Sequence, residues 1–215
     1  MASIAVESHR SRSAARALDL LERGAVLGLF ASFALRNYHA VVDQGHWFNA
    51  IMVASEALVA LFILIRRPTT EVTQRGGDWA LAFAATVGPL LAQASSSGHP
   101  LVPLGLGVLL LLSGLAFQVW AKLTLRRSFG IIPANRGVKA SGPYRLMRHP
   151  MYLGYVTVHI GFLLLSPNLW NLIVYGLSFA VQIVRIQAEE RLLSQDPAYA
   201  AFQARTRFRL VPGVF

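Results

Sequence analysis

The sequence contains no cysteine, which removes disulfides, thiolate metal sites and a cysteine nucleophile together. Charge is scarce as well, at 14% of 215 residues, and acidic residues are scarcer still: 10 Asp and Glu against 20 Lys and Arg, a net charge of +10. With 54% hydrophobic residues and a mean hydropathy of +0.48, the chain is too apolar for an ordinary soluble domain. A positive excess of this size suits nucleic acid only when the basic side chains form one stripe on a soluble fold. Here they fall in short clusters between apolar segments, so the expected partner is the lipid bilayer and not nucleic acid. The first 23 residues carry Arg10, Arg12, Arg16 and Arg23 without a compact apolar stretch leading to a small-residue cleavage site. They read as a cytoplasmic tail rather than a cleaved signal.

Apolar stretches able to cross about 30 Å of hydrocarbon at about 1.5 Å per residue occur near 24 to 43, 47 to 65, 79 to 95 and 101 to 125. Two shorter ones, 151 to 165 and 169 to 185, flank Ser166-Pro167-Asn168, a turn-forming tripeptide that predicts a helical hairpin. Arginine and lysine collect in the first tail, after the second and fourth stretches and after the sixth, while 44 to 46, 95 to 100 and 166 to 168 carry none. By the positive-inside rule this predicts about six transmembrane helices, an all-α integral membrane protein of the inner or cytoplasmic membrane, with both termini cytoplasmic. Residues 1 to 23 form the tail, 24 to 125 four spans, and 126 to 215 the hairpin region with an amphipathic end. Arg36 and Glu56 fall inside the first two spans at matching depth and are expected to form a structural ion pair.

From Ser128 to Arg148 the hydrophobic pattern stops, and the chain reads SFGIIPANRGVKASGPYRLMR. Backbone this rich in glycine and proline cannot face lipid unsatisfied; it belongs at the cytoplasmic surface or around a polar cavity. One reading is an interfacial loop whose Arg145 and Arg148 meet headgroups, with Tyr144 and Tyr152 in an aromatic belt. The other is functional, and it rests on the far end of the sixth stretch. There Arg185 and Glu189 share a helical face, and Glu190 is turned by about 100° toward a different partner. In the tail, Asp196 caps and Pro197 starts a short helix whose Tyr199, Phe202 and Phe208 are expected on the membrane, with Arg205 and Arg207 toward anionic lipid; the same helix suits a lid over a pocket.

The run Ser141-Gly142-Pro143-Tyr144-Arg145, then RHPMYLG, a two-helix hairpin, the paired acids of RIQAEERLL and a tail ending in Arg209-Leu210-Val211-Pro212 resembles the isoprenylcysteine carboxyl methyltransferase family, whose motifs overlap with those of membrane phospholipid methyltransferases. The resemblance covers roughly 120 to 213. It implies an integral-membrane methyltransferase that uses S-adenosylmethionine, releases S-adenosylhomocysteine, needs no metal and acts on a lipophilic acceptor from a cytoplasmic pocket. It implies cofactor contacts from Tyr144, Arg148, His149 and Tyr152, with backbone near Gly137, Val138 and Gly142, and a hydrogen-bond acceptor in Glu190. Arg185 and Glu189 fall to the acceptor site. There an arginine can hold a carboxylate, which needs no general base, whereas an amine would need Glu189 or His149 to take its proton. A phospholipid amine and a small thiol remain open as acceptors, and so does a non-enzymatic lipid-binding protein.

Other features carry less. Gly105-Leu106-Gly107 has no preceding strand and fits helix packing, not a dinucleotide loop. His39 and His159 read as packed helix residues, Asn168 and Asn171 as capping groups, and Trp47, Trp79, Trp120 and Trp170 as interfacial anchors.

Overall fold

A computed structural model describes residues 17–32, 34–35, 38, 42, 57, 60–67, 69, 71–92 and 99–215. Arg36, His39, Trp47 and Glu56 lie outside these residues. Every regular element described is helical: α1 (described over 17–32), α2 (60–65), α3 (Gly76–Val87), α4 (Leu104–Leu125), α5 (Pro150–Leu165), α6 (Leu169–Leu193) and α7 (Pro197–Arg205). Short 3-10 turns occupy Gly88–Leu91, Arg126–Ser128 and Gly142–Arg145.

Two helices among the described residues are long and apolar enough to cross a bilayer: α4 extended through its 3-10 turn, Leu104–Ser128, and α6, Leu169–Leu193, each of 25 residues. The apolar α5 has 16 residues. Two boundaries differ from the hydropathy reading. Helix α1 already runs through residues 17 to 23, because Asp19 and Glu22 are buried against basic partners and are not solvated tail. The 79 to 95 stretch is not one helix. Its α-helix covers Gly76–Val87, and Pro89, which has no amide proton to donate, falls in the tighter turn that follows.

Helices α4 and α5 meet backbone to backbone. A Cβ added at Gly114 would lie 2.8 Å from the Val158 amide nitrogen, and one added at Gly154 would lie 2.8 Å from that of Gln118. Gly107 and Gly161 extend the contact by two helical turns. Lipid tails offer no hydrophobic incentive for helices to associate, so this glycine seam lets dispersion between backbones do it. Gly107 thus packs as read from the sequence, whereas Gly105 faces open space.

The three residues between α5 and α6 turn the chain back. Asn168 Oδ1 accepts the Asn171 amide at 2.7 Å, and Asn171 Nδ2 donates to the Ser166 carbonyl. His159 of α5 stacks on Tyr175 of α6 at 4.5 Å, and Tyr152 near the start of α5 donates to Glu189 near the end of α6. Helix α6 also lies along α3, tied at one end by Arg191 to Asp78, 3.0 Å, and at the other by Trp170 Nε1 to the Leu91 carbonyl, 2.9 Å.

Helix α7 corrects an expectation. Tyr199 and Phe202, three residues apart on one face, are buried and join the core rather than the membrane surface. Asp196 fixes the helix by accepting from the Ala198 amide at 2.8 Å and from Asn135 Nδ2 at 2.9 Å. Phe208 stays partly exposed.

Candidate active site

The site is built where α4 ends. Arg126 adopts a positive φ of 48°, and the chain leaves the helix for an irregular path to His149. That path is held on several sides. The Thr73 amide donates to the Pro133 carbonyl and the Asn135 amide to the Glu71 carbonyl, forming the isolated bridge of Val72 with Ala134. Glycine is required at two points. Gly137 has φ +92°, and Gly142 has φ +56° with an added Cβ only 2.8 Å from Thr124 Oγ1.

The RHP turn closes the path. The Arg148 and His149 amides donate to the Phe208 and Arg209 carbonyls at 2.9 and 2.8 Å, so the C-terminal stretch runs beside the start of α5. Behind this turn sits Glu190, buried, with Arg148 Nε at 2.7 Å, Arg209 Nε at 2.8 Å and His149 Nε2 at 3.1 Å. Three basic side chains saturate this carboxylate, which acts as a pillar joining α6, the RHP turn and the tail. Its neighbour Glu189 points elsewhere. The Tyr152 hydroxyl donates to Glu189 Oε2 at 2.8 Å, and His149 stacks on the Tyr152 ring at 5.6 Å.

Two clefts open around these residues. The first, of about 750 Å³, lies between the irregular path, the RHP turn and α7. Of the residues read from the sequence, it takes Gly137, Val138, Tyr144, Arg148, His149, Tyr152 and Glu189. Gly142 packs on α4 and Glu190 stands behind the wall. Burial, followed by the charge of Glu189, pushes the Tyr144 phenol well above its usual range; burial likewise raises Tyr199. Both therefore present neutral hydroxyls.

The second cleft, of about 560 Å³, is lined by Phe30, Ala85, Thr86, Pro89, Leu90, Phe129, Ile131, Met151, Tyr155 and Arg185. Among the described residues that line it, Arg185 is the one ionisable side chain apart from the Tyr155 phenol. It donates to the Ile131 carbonyl at 2.7 Å and lies over the Tyr152 ring at 5.3 Å. Met151 lines both clefts, and the strip Gly130 to Ile132 divides them: Gly130 and Ile132 face the first, Ile131 the second. That strip is gripped from both sides. Glu22 Oε1 accepts the Ile131 and Ile132 amides at 3.2 and 3.1 Å, opposite the bond from Arg185.

Residues 102–199 match the family model described as phospholipid methyltransferase. This domain belongs to that family. It includes the membrane methyltransferases of the isoprenylcysteine carboxyl methyltransferase type, as the SGPYR, RHPMY and AEE motifs implied. The domain marks the protein as a methyltransferase, hence an enzyme, of a membrane-associated family. A comparison with the curated proteins returns no match. The match spans α4, the irregular path, α5, α6 and the start of α7, and leaves α1 to α3 outside.

Tyr199 and Phe202 line the first cleft, the position that the lid reading of their helix allows, in place of the membrane surface that their apolar face equally suits. Sequence reasoning missed other parts of the site. Phe30, Thr86 and Pro89 line the second cleft from helices with no diagnostic motif. Asp19 and Glu22, an i,i+3 acidic pair entering an apolar helix, were the readable signal for the grip on 131 and 132.

Proposed function

We propose that this protein transfers a methyl group from S-adenosylmethionine to a lipophilic acceptor at the cytoplasmic membrane face, in a chain of six spans with cytoplasmic termini. The carrying observation is the junction of the clefts: a polar one built from loop backbone and an apolar one built from helices share Met151 and the 130 to 132 strip, with Glu189 on one side and Arg185 on the other. A water-soluble donor and a lipid acceptor need such adjacent, unlike chambers.

The first cleft fits the cofactor. The Tyr199 hydroxyl is buried there without a hydrogen-bond partner among the described residues, an arrangement that costs about 1 to 3 kcal/mol unless a ligand satisfies it. Tyr144, His149 and Tyr152 supply aromatic walls, Gly137 and Val138 allow close backbone approach, and Glu189 offers an acceptor for an ammonium or ribose hydroxyl. When bound, S-adenosylmethionine supplies an electrophilic methyl on its sulfonium sulfur. The protein's own tasks are alignment and exclusion of water. Phe202 and Tyr199 cover the cleft, and the 130 to 132 strip sets the approach of the acceptor.

Arg185 favours an anionic acceptor, foremost the carboxylate of an isoprenylcysteine-like lipid. Among the described residues no acidic side chain lines the second cleft, whereas a guanidinium there can hold a carboxylate that is already ionised near neutral pH. A phospholipid amine is the second reading, favoured by the family description and by Glu189, which would serve as base. Calorimetry with S-adenosylhomocysteine tests the cofactor, with saturable binding expected. Incubation with radiolabelled methyl donor in vesicles then sorts acceptors: base-labile label marks an ester, base-stable label an amine. A folded protein that binds no S-adenosylhomocysteine and labels no lipid is a lipid-binding protein, not this enzyme.

A further inference from the structure

A buried cluster of charges stands at the back of the first cleft. Arg66 holds both carboxylates, with Asp19 at 2.6 Å and Glu22 at 2.7 Å, and Arg23 takes the other Asp19 oxygen at 2.8 Å. Glu22 is further occupied by the Ile131 and Ile132 amides. Arg136 is left as the third cation for two anions, with Nη2 at 3.8 Å from each, beyond hydrogen-bond length. Its side chain is 2% exposed, and Nε and Nη2 are buried with no hydrogen-bond partner among the described residues. Arg66 keeps an unpartnered Nε too, but it lies behind, against the carboxylates, and does not line the cleft. Arg136 does, beside Gly130, where any side chain would strike its guanidinium.

A buried guanidinium with unused donors on a ligand cleft is costly until an anion meets it. Its surroundings show the cost: burial and then the charge of Arg66 lower its pKa to about 10, still cationic at neutral pH. The other basic groups of this cleft are differently placed. Arg148 is engaged by Glu190, and Lys139 is half-exposed.

We infer that Arg136 is the anion anchor of the cofactor cleft and receives the α-carboxylate at the amino-acid end of S-adenosylmethionine, a contact resting on the cofactor reading above. Asp19 and Glu22 of α1 and Arg66 just after α2 position it, outside the matched family domain. The anchor is thus supplied in part by helices that carry no family motif.

The test is calorimetry on purified full-length protein with three probes: S-adenosylhomocysteine, its decarboxylated amine analogue, and 5′-methylthioadenosine, which lacks the amino-acid end. Wild type should bind the first on the order of 10- to 100-fold more tightly than the second. Arg136→Met should close that gap while leaving methylthioadenosine affinity within about twofold, a level at which ordinary packing effects fall. If Arg136→Met does not fold, Arg136→Lys replaces it and should narrow the gap. A gap that persists in the variant, or equal weakening of all three probes, overturns the anchor and leaves the cofactor reading standing. Failure of wild type to bind any of the three removes both.

Discussion

The two clefts are made of different materials. The first is walled by glycine-rich backbone, tyrosines and charged groups; the second by apolar helix faces around one arginine. Irregular backbone gives polar contacts but needs bracing, and here the bracing is ionic: Glu190 behind the RHP turn, Glu22 behind the 130 to 132 strip. Helix faces need less of it: the glycine seam holds α4 to α5, and one ion pair, Arg191 with Asp78, together with the Trp170 bond to the Leu91 carbonyl, ties α6 to α3. Charge loss should therefore damage the first cleft directly through its framework, and the second only at Arg185, through the wall the two clefts share or through loss of the whole fold.

Glu190→Ala should have the largest effect. It leaves Arg148, Arg209 and His149 without their shared carboxylate, and loss of one partner of a buried ion pair costs about 3 to 5 kcal/mol. Thermal unfolding in detergent should fall sharply and both clefts should fail together. Arg185→Met should separate the two clefts instead. Methyl transfer should drop by roughly 10²- to 10³-fold, the usual cost of removing a donor from a reacting group, while calorimetry shows S-adenosylhomocysteine affinity changed by no more than about threefold, since other groups make that contact.

Glu22→Gln probes the shared wall. The amide oxygen can still accept the Ile131 and Ile132 amides, but the charge facing Arg66 is lost, so stability should fall by about 1 to 3 kcal/mol; Glu22→Ala should be worse and weaken donor and acceptor together in KM measurements. Asp196→Ala is the mildest. It removes a helix cap and the tie to Asn135, and should loosen α7, weakening S-adenosylhomocysteine binding a few-fold without altering acceptor KM. Acid should do the same to wild type. The hydrogen bond from Asn135, then that from the Ala198 amide, holds the Asp196 carboxyl below its ordinary value. Its stabilising effect is therefore complete above the unfolded carboxyl range and is lost as pH falls through the lowered folded value.

Much of the first cleft was legible because its chemistry is local in sequence. Gly137 needs its positive φ, His149-Pro150 needs a helix start, and the SGPYR and RHPMY runs lie within a dozen residues of one another. The helical class was equally plain from apolar run lengths. Glu189 and Glu190 show where legibility ended. Helical geometry separated their directions by about 100°, but which one faced the cleft depended on Arg209 and Arg148 arriving from distant segments. Arg136 looked like one basic loop residue among several, since its burial is imposed by Asp19, Glu22 and Arg66, seventy residues or more away in the chain. Hydropathy also could not place Tyr199 and Phe202, whose apolar face serves lipid and protein core equally well.

The chain's lack of cysteine permits a direct test of the shared wall. With Met151→Cys as its single thiol, the protein in vesicles should react with a small methanethiosulfonate reagent, and S-adenosylhomocysteine or a long-chain isoprenylcysteine analogue should each slow the reaction when added alone. Protection by one ligand and not the other would place donor and acceptor in chambers that do not meet at residue 151, and would contradict the two-cleft account.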